Sequence, residues 1–319
     1  MATVETQILD EVITSSRRRL MTAGGLAMAG ALLGSTKKAE AQSATLTDAD
    51  YLNFALNLEY LEAQFYTLAY AGMTIDQVGI GIGAGASATG GGTVTVKPSG
   101  VASCKVPFTM SNVASYAQEI AGEEQKHVNF LRSALGSAAV AMPNIDLYNS
   151  FNAAAAAAGI GSAFDPFASD VNFLLGSYIF EDVGVTAYHG AAGLLTSTAN
   201  LIPAVGIHAV EAYHAGLIRT TLWHLDQATP AAGIAAIATK ISYLRATLDG
   251  TGNDDVGLGT QSVALNGASA SFMASTIVNA DSNSIGFART ARQVLNIVYA
   301  SPSGTKGGFF PNGLNGNVS

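Results

Sequence analysis

A single cysteine, Cys104, in 319 residues rules out an internal disulfide, and the same count excludes a thiolate metal site or an iron–sulfur cluster. Charge is also scarce. Only 12% of residues are Asp, Glu, Lys or Arg, and the balance is acidic, with net charge −8 and pI near 5.0. Such a chain lacks the basic surface that binding nucleic acid requires. The glycines at 79, 81, 83 and 85 are not followed by G-x-x-x-x-G-K-[ST], which excludes a phosphate loop of that kind, and no serine sits in a nucleophile elbow. The weakly apolar run at residues 20–33 is short for a bilayer span. Glutamate is rare in a telling way. Beyond residue 41 it occurs only at Glu59, Glu62, Glu119, Glu123, Glu124, Glu181 and Glu211, with none in the last hundred residues.

The first 41 residues read as an export signal. Ser15-Ser-Arg-Arg-Arg-Leu-Met21 is a twin-arginine element, the apolar run follows, and Ala39-Glu-Ala41 is a small-x-small cleavage site. The expected mature chain begins near Gln42, is periplasmic or extracellular, and keeps no membrane span; the other reading is an uncleaved anchor.

What is present is 49% hydrophobic residues and one stretch, about 47–225, long enough for a single helical bundle. Two segments there place Glu and His three apart: Glu124-Gln-Lys-His127 and Glu211-Ala-Tyr-His214. On a helix both side chains leave one face, and that face is otherwise apolar, with Val113, Ile120, Val128 and Leu131 in the first and Ile207, Ile218 and Leu222 in the second. Burying such a pair is costly unless a cation sits between the two groups. One E-x-x-H arises by chance. Two of them, with one Glu from each of two further helices, is the arrangement that holds a pair of metal ions inside a four-helix bundle. The third carboxylate lies in a helix opened by Thr47 and stopped by Gly72, where Glu59 and Glu62 both fit the inward stripe and spacing does not choose between them. The fourth is Glu181, in a helix starting near Asp165-Pro166. The expected metal ligands are therefore Glu59, Glu62, Glu124, His127, Glu181, Glu211 and His214. Four converging carboxylates repel by about 4 kcal/mol per pair at roughly 4 Å, and two divalent ions remove that repulsion.

Tyr66 follows Glu59 by seven residues and Tyr188 follows Glu181 by seven, so each tyrosine shares its carboxylate's face two turns on. Each such helix precedes an E-x-x-H helix, an internal pseudo-repeat of helix pairs. Glu119 and Glu123, beside Lys126, read as a solvated outer face. His208, one turn before Glu211, is a candidate orienting neighbour of a carboxylate, and His189 a surface or packing residue. The expected organisation is a bundle at 42–228 and a C-terminal extension at 229–319. In the bundle a Gly-rich excursion at 72–108 is a surface loop or oligomer contact, and a long crossover joins the second and third helices. In the extension a helix at 230–248 precedes an irregular 250–284 and a short helix at 286–299.

The stretches 52–66, 124–132, 180–190 and 211–214, with 289–299 and 307–316 in the tail, resemble exported ferritin-like domain proteins related to plant desiccation-related proteins. The resemblance implies an all-α, ferritin-like four-helix bundle, a di-iron or dimanganese site of two Fe or Mn ions, and Glu59 as the ligand of the first helix. It leaves the reaction open. One reading is an oxidoreductase of ferroxidase or peroxide-scavenging type toward O2, peroxide or Fe(II), with Tyr66 and Tyr188 relaying or quenching a radical. Iron storage is a second, and a structural or desiccation-protective surface protein using the bundle as scaffold, with self-association, is a third. The Gly-rich excursion departs from the short first hairpin of ferritins and argues against a hollow shell.

Overall fold

The computed structural model describes residues 46–264 and 271–319; the expected export signal lies outside them. Five helices make the first part of the chain: α1 (Asp48–Ala71), α2 (Ser111–Leu135), the short α3 (Asn149–Ala157), α4 (Asp170–Ala192) and α5 (Thr198–Ala228). All but α3 form the bundle. α1 packs chiefly on α2 and α4 on α5, and the crossover between the pairs contains α3.

Helix ends follow from local chemistry. The Asp50 carboxylate reaches back to accept from the Thr47 amide and hydroxyl, both at 2.7 Å, which opens α1. Gly72 closes it in the left-handed region at φ +67°, its N–H donating to Leu68 O at 2.9 Å. α4 starts later than expected. Asp165 turns the chain by accepting from the Phe167 amide at 2.9 Å, and the helix begins only after Ser169, whose hydroxyl accepts from the Asn172 amide at 3.2 Å. α5 begins at Thr198, and Pro203 lies within it. Two aspartates tie the ends together. Asp48 accepts from the Thr196 and Ser197 amides between α4 and α5, and Asp170 accepts from the Thr109 and Met110 amides that precede α2.

The Gly-rich excursion is not a loose loop. Ile80, Ile82 and Cys104 are buried, and burial pushes the Cys104 thiol up to about 11, which makes it unreactive. The carbonyls of Gly83, Gly85 and Ser87 converge on the Arg132 guanidinium of α2 at 2.7–2.9 Å. Gly83 is needed for that fold, since a Cβ there would meet Thr89 O at 1.9 Å. A two-residue strand β1 (Val94–Thr95) pairs in parallel with β2 (Ile145–Asp146), joining the excursion to the crossover.

The extension contributes α6 (Ile234–Asp249), the antiparallel strands β3 (Thr260–Ala264) and β4 (Ser271–Ser275), and α7 (Ala291–Val298). The strands replace the expected irregular stretch; both are mostly exposed, so they carry no burial pattern in the sequence. A buried ion network fastens the extension to the bundle. Asp182 of α4 accepts from Arg219 of α5 at 2.8 Å and from Arg245 of α6 at 2.7 Å; Arg245 also pairs with Asp255, and Arg289 with Asp249 and Asp255. Losing one partner of such a network leaves a buried charge, at a cost of about 3–5 kcal/mol. The chain end returns to α1, where Asn57 and Asn315 exchange hydrogen bonds at 2.9 and 3.1 Å.

Candidate metal centre

All seven candidate ligands are buried, and every bundle helix contributes to them. Glu59 and Glu62 come from α1, Glu124 and His127 from α2, Glu181 from α4, and Glu211 and His214 from α5. Two groups of donor atoms form, each with its atoms within 4.8 Å of one another: Glu59, Glu124, His127 and Glu211 in the first, Glu124, Glu181 and His214 in the second. Glu124 belongs to both. His127 Nδ1 lies 3.2 Å from Glu59 Oε2, 3.3 Å from Glu124 Oε2 and 3.5 Å from Glu211 Oε1. His214 Nδ1 lies 3.1 Å from Glu124 Oε1 and 3.4 Å from Glu181 Oε2.

Several of these atoms are buried without a hydrogen-bond partner: Glu124 Oε1, Glu181 Oε2, both oxygens of Glu211, and His214 Nδ1. Buried polar atoms are nearly always paired, so a group of orphans from three helices marks a place for something else. Carboxylate oxygen and imidazole nitrogen are donors suited to divalent first-row cations, and the residues fit such a guest. The titration behaviour agrees. Burial raises Glu59 to about 7 against the attraction of His127, and burial followed by neighbouring carboxylates drives Glu62 and Glu211 well above the ordinary range. Burial opposes charge on Glu124 too, yet His127 and His214 hold its carboxyl well below the ordinary range. Burial disfavours protonated His127, but Glu59 and Glu124 push it up to about 12; Glu181 and Glu124 likewise raise His214. Without cations, protons on the two imidazoles and on the raised carboxyls share the neutralising.

Glu62 is buried but enters neither donor group. It meets Glu211 over Gly184 of α4, where an added Cβ would lie 2.3 Å from Glu211 Oε2 and 3.5 Å from Glu62 Oε1. The tyrosines are crossed between the helix pairs. Tyr66 of α1 donates to Glu181 of α4, and Tyr188 of α4 donates to Glu59 of α1. Each lies two turns from its own helix's carboxylate and serves the one opposite.

Glu123 corrects the expectation of a solvated outer residue. Its Oε2 lies 2.7 Å from His214 Nε2, with the side chain one-third exposed at the edge of the site. A carboxylate on the far nitrogen fixes the ring so that Nδ1 faces the cluster. Nothing in the pattern of α2 reveals this, because the partner is on α5. His208 does not orient a carboxylate: its Nδ1 donates to Val185 O at 3.1 Å.

The fold and the site together define a four-helix bundle that carries a carboxylate–histidine cluster in its core. The ferritin-like domain family matches residues 47–224, and the chain belongs to that family. It is similar to the desiccation-related protein PCC13-62 of Craterostigma plantagineum, at 30% identity over 78% of this chain and 76% of that one. It is also similar to the ferritin-like catalase Nec2 of Nesocodon mauritianus, at 28% identity over 85% of each chain. No solved structure matches.

Proposed function

We propose that the protein is an exported metal-carboxylate protein binding two Fe or Mn ions and acting on O2, peroxide or Fe(II) in stress protection. The observation that carries this is the set of orphaned buried donors arranged around Glu124, which both donor groups share. Glu59, His127 and Glu211 would complete the first ion's ligands, and Glu181 and His214 the second's. Ions of this kind supply Lewis acidity and one-electron redox capacity when bound. The protein's part is to hold their ligands. Glu123 fixes His214, Tyr66 fixes Glu181, Tyr188 fixes Glu59, and the apolar bundle excludes bulk water. Both tyrosine hydroxyls touch ligand carboxylates, which suits them to pass or quench an electron.

The relative named a ferritin-like catalase favours peroxide as substrate. A second reading, a desiccation-protective scaffold, is favoured by the relative named desiccation-related and by the low charge of the chain. Elemental analysis of protein purified without chelator, with assays of peroxide loss and Fe(II) oxidation, separates them. The enzyme reading expects about two ions per chain and turnover that vanishes in Glu124→Ala; a metal-free, inactive wild-type protein refutes it. Glu59→Ala should remove one ion while Glu62→Ala only weakens binding, and the reverse ranking would reassign the ligand on α1. Export through the twin-arginine route is part of the proposal. A ligand set gathered from four helices exists only in the folded chain, so a folded passenger has its metal chosen before export. Replacing Arg17, Arg18 and Arg19 by Lys should strand the precursor inside the cell.

A further inference from the structure

Outside the carboxylate cluster, α4 and α5 bring together a second pair of histidines. His189 and His208 line one cavity of about 260 Å³, covered by residues 277–279 and Gly286 of the extension. Each ring is anchored by a backbone carbonyl, His189 Nδ1 on Phe287 O at 3.0 Å and His208 Nδ1 on Val185 O at 3.1 Å. A carbonyl only accepts, so each ring carries a proton on Nδ1, and the neutral form of such a ring leaves Nε2 as a lone pair. Neither Nε2 has a hydrogen-bond partner among the described residues. Burial, with His189 close by, lowers the His208 pKa and favours the neutral ring.

The spacing suits one shared ion. The ring centres are 5.8 Å apart and the planes tilted by 39°. An ion about 2.0–2.1 Å from a ring nitrogen lies roughly 3.2 Å from the ring centre, so two rings on one ion have centres up to roughly 6.4 Å apart. Anchoring the far nitrogen on a carbonyl is how metal-binding histidines are oriented. A further polar atom, Asn279 Nδ2, is buried without a partner on the same cavity. The Arg219 guanidinium also lines it but is matched by Asp182 at 2.8 Å.

We propose that His189 and His208 form a second, solvent-open metal site that takes one imidazole-preferring divalent ion, of the Cu, Ni or Zn class, through both Nε2 atoms. Water or a small anion completes the shell and can accept from Asn279 Nδ2. With two imidazole donors, and with Asp182, the carboxylate on the cavity, held by Arg219 and Arg245, the site discriminates against Mn(II) and Mg(II), which prefer oxygen donors. It is independent of the central cluster.

The test is Cu(II) titration of the full chain followed by electron paramagnetic resonance. The His127 and His214 rings of the central cluster are themselves 6.4 Å apart and could share a copper ion, so the spectra are recorded in a His214→Ala background, where copper in the central cluster meets one imidazole and copper held by His189 and His208 couples to two. The expected spectrum of the His214→Ala protein contains a two-imidazole component of about one ion per chain. His189→Ala and His208→Ala should each abolish that component, and the double variant should bind one Cu(II) fewer with its Mn(II) or Fe content unchanged. A His214→Ala protein without the two-imidazole component overturns the proposal, as does a double variant in that background that retains it. If the double variant does not fold, His208→Gln decides, since a folded His208→Gln protein that keeps the component also overturns it.

Discussion

Removing the Glu123 carboxylate should weaken one ion of the pair and spare the other. Glu123 Oε2 is 2.7 Å from His214 Nε2, and His214 serves the group that also holds Glu181. The other group contains His127, for which Glu123 is no partner. Losing the hydrogen-bond partner of a ligating histidine typically costs 10–100-fold in metal affinity. Because the Glu123 side chain is 33% exposed, water can take its place in part, which puts Glu123→Ala at the low end, about tenfold or ~1.4 kcal/mol. Glu123→Gln keeps an acceptor for the Nε2 proton and loses only the charge, so its effect should be smaller. Competition against a chromophoric chelator, following the two ions as separate steps, reads the difference. Equal loss at both steps, or no loss in Glu123→Ala, would show that Glu123 does not position His214.

Gly184→Ala drives a methyl to within 2.3 Å of Glu211 Oε2 and should lower metal content measured by elemental analysis; full occupancy would mean that Glu211 can retreat without leaving the ion. Tyr66→Phe and Tyr188→Phe each remove the hydroxyl donor to a buried carboxylate and should each cost about 1 kcal/mol in denaturant unfolding, an effect absent if water fills the gap. Asp48 is held well below the ordinary carboxylate range by the Thr196 amide, the Asn200 side chain and the Ser197 amide. A depressed carboxyl stabilises the fold above its ordinary value of 3.8 and loses that contribution as pH falls below it. Asp48→Asn should therefore melt lower than wild type at neutral pH, with the gap closing below about pH 3. A pH-independent gap would point to packing instead.

The bundle was legible because its signals are local: the 3.6-residue spacing around Glu124, His127, Glu211 and His214, and the Thr47 and Gly72 punctuation of α1. The Glu59 and Glu62 ambiguity has a physical cause. The extension and the chain end cover α1, so both glutamates are buried and the helix offers no polar side against which to choose. The start of α4 was misplaced because Asp165-Pro166 satisfies a cap rule yet spends its carboxylate on a turn. The β3–β4 pair has no buried face to imprint alternation. Glu123 and the carbonyl cradle around Arg132 depend on partners far away in the chain, 91 residues in the first case and 45–49 in the second, and no local pattern encodes them.

The crossed tyrosines and the shared Glu124 have a consequence for assembly. Neither helix pair owns a finished coordination sphere: α1 and α2 lack Glu211, Glu181 and His214, while α4 and α5 lack Glu59, Glu124 and His127. A chain whose crossover is misrouted can form every helix and keep every ligand, yet present only two half-sites, each with a tyrosine that has lost its acceptor. If the cluster takes up ions as proposed, their uptake registers whether the two halves have met in the right order, and a cell that withholds passage from metal-free chains would be inspecting topology.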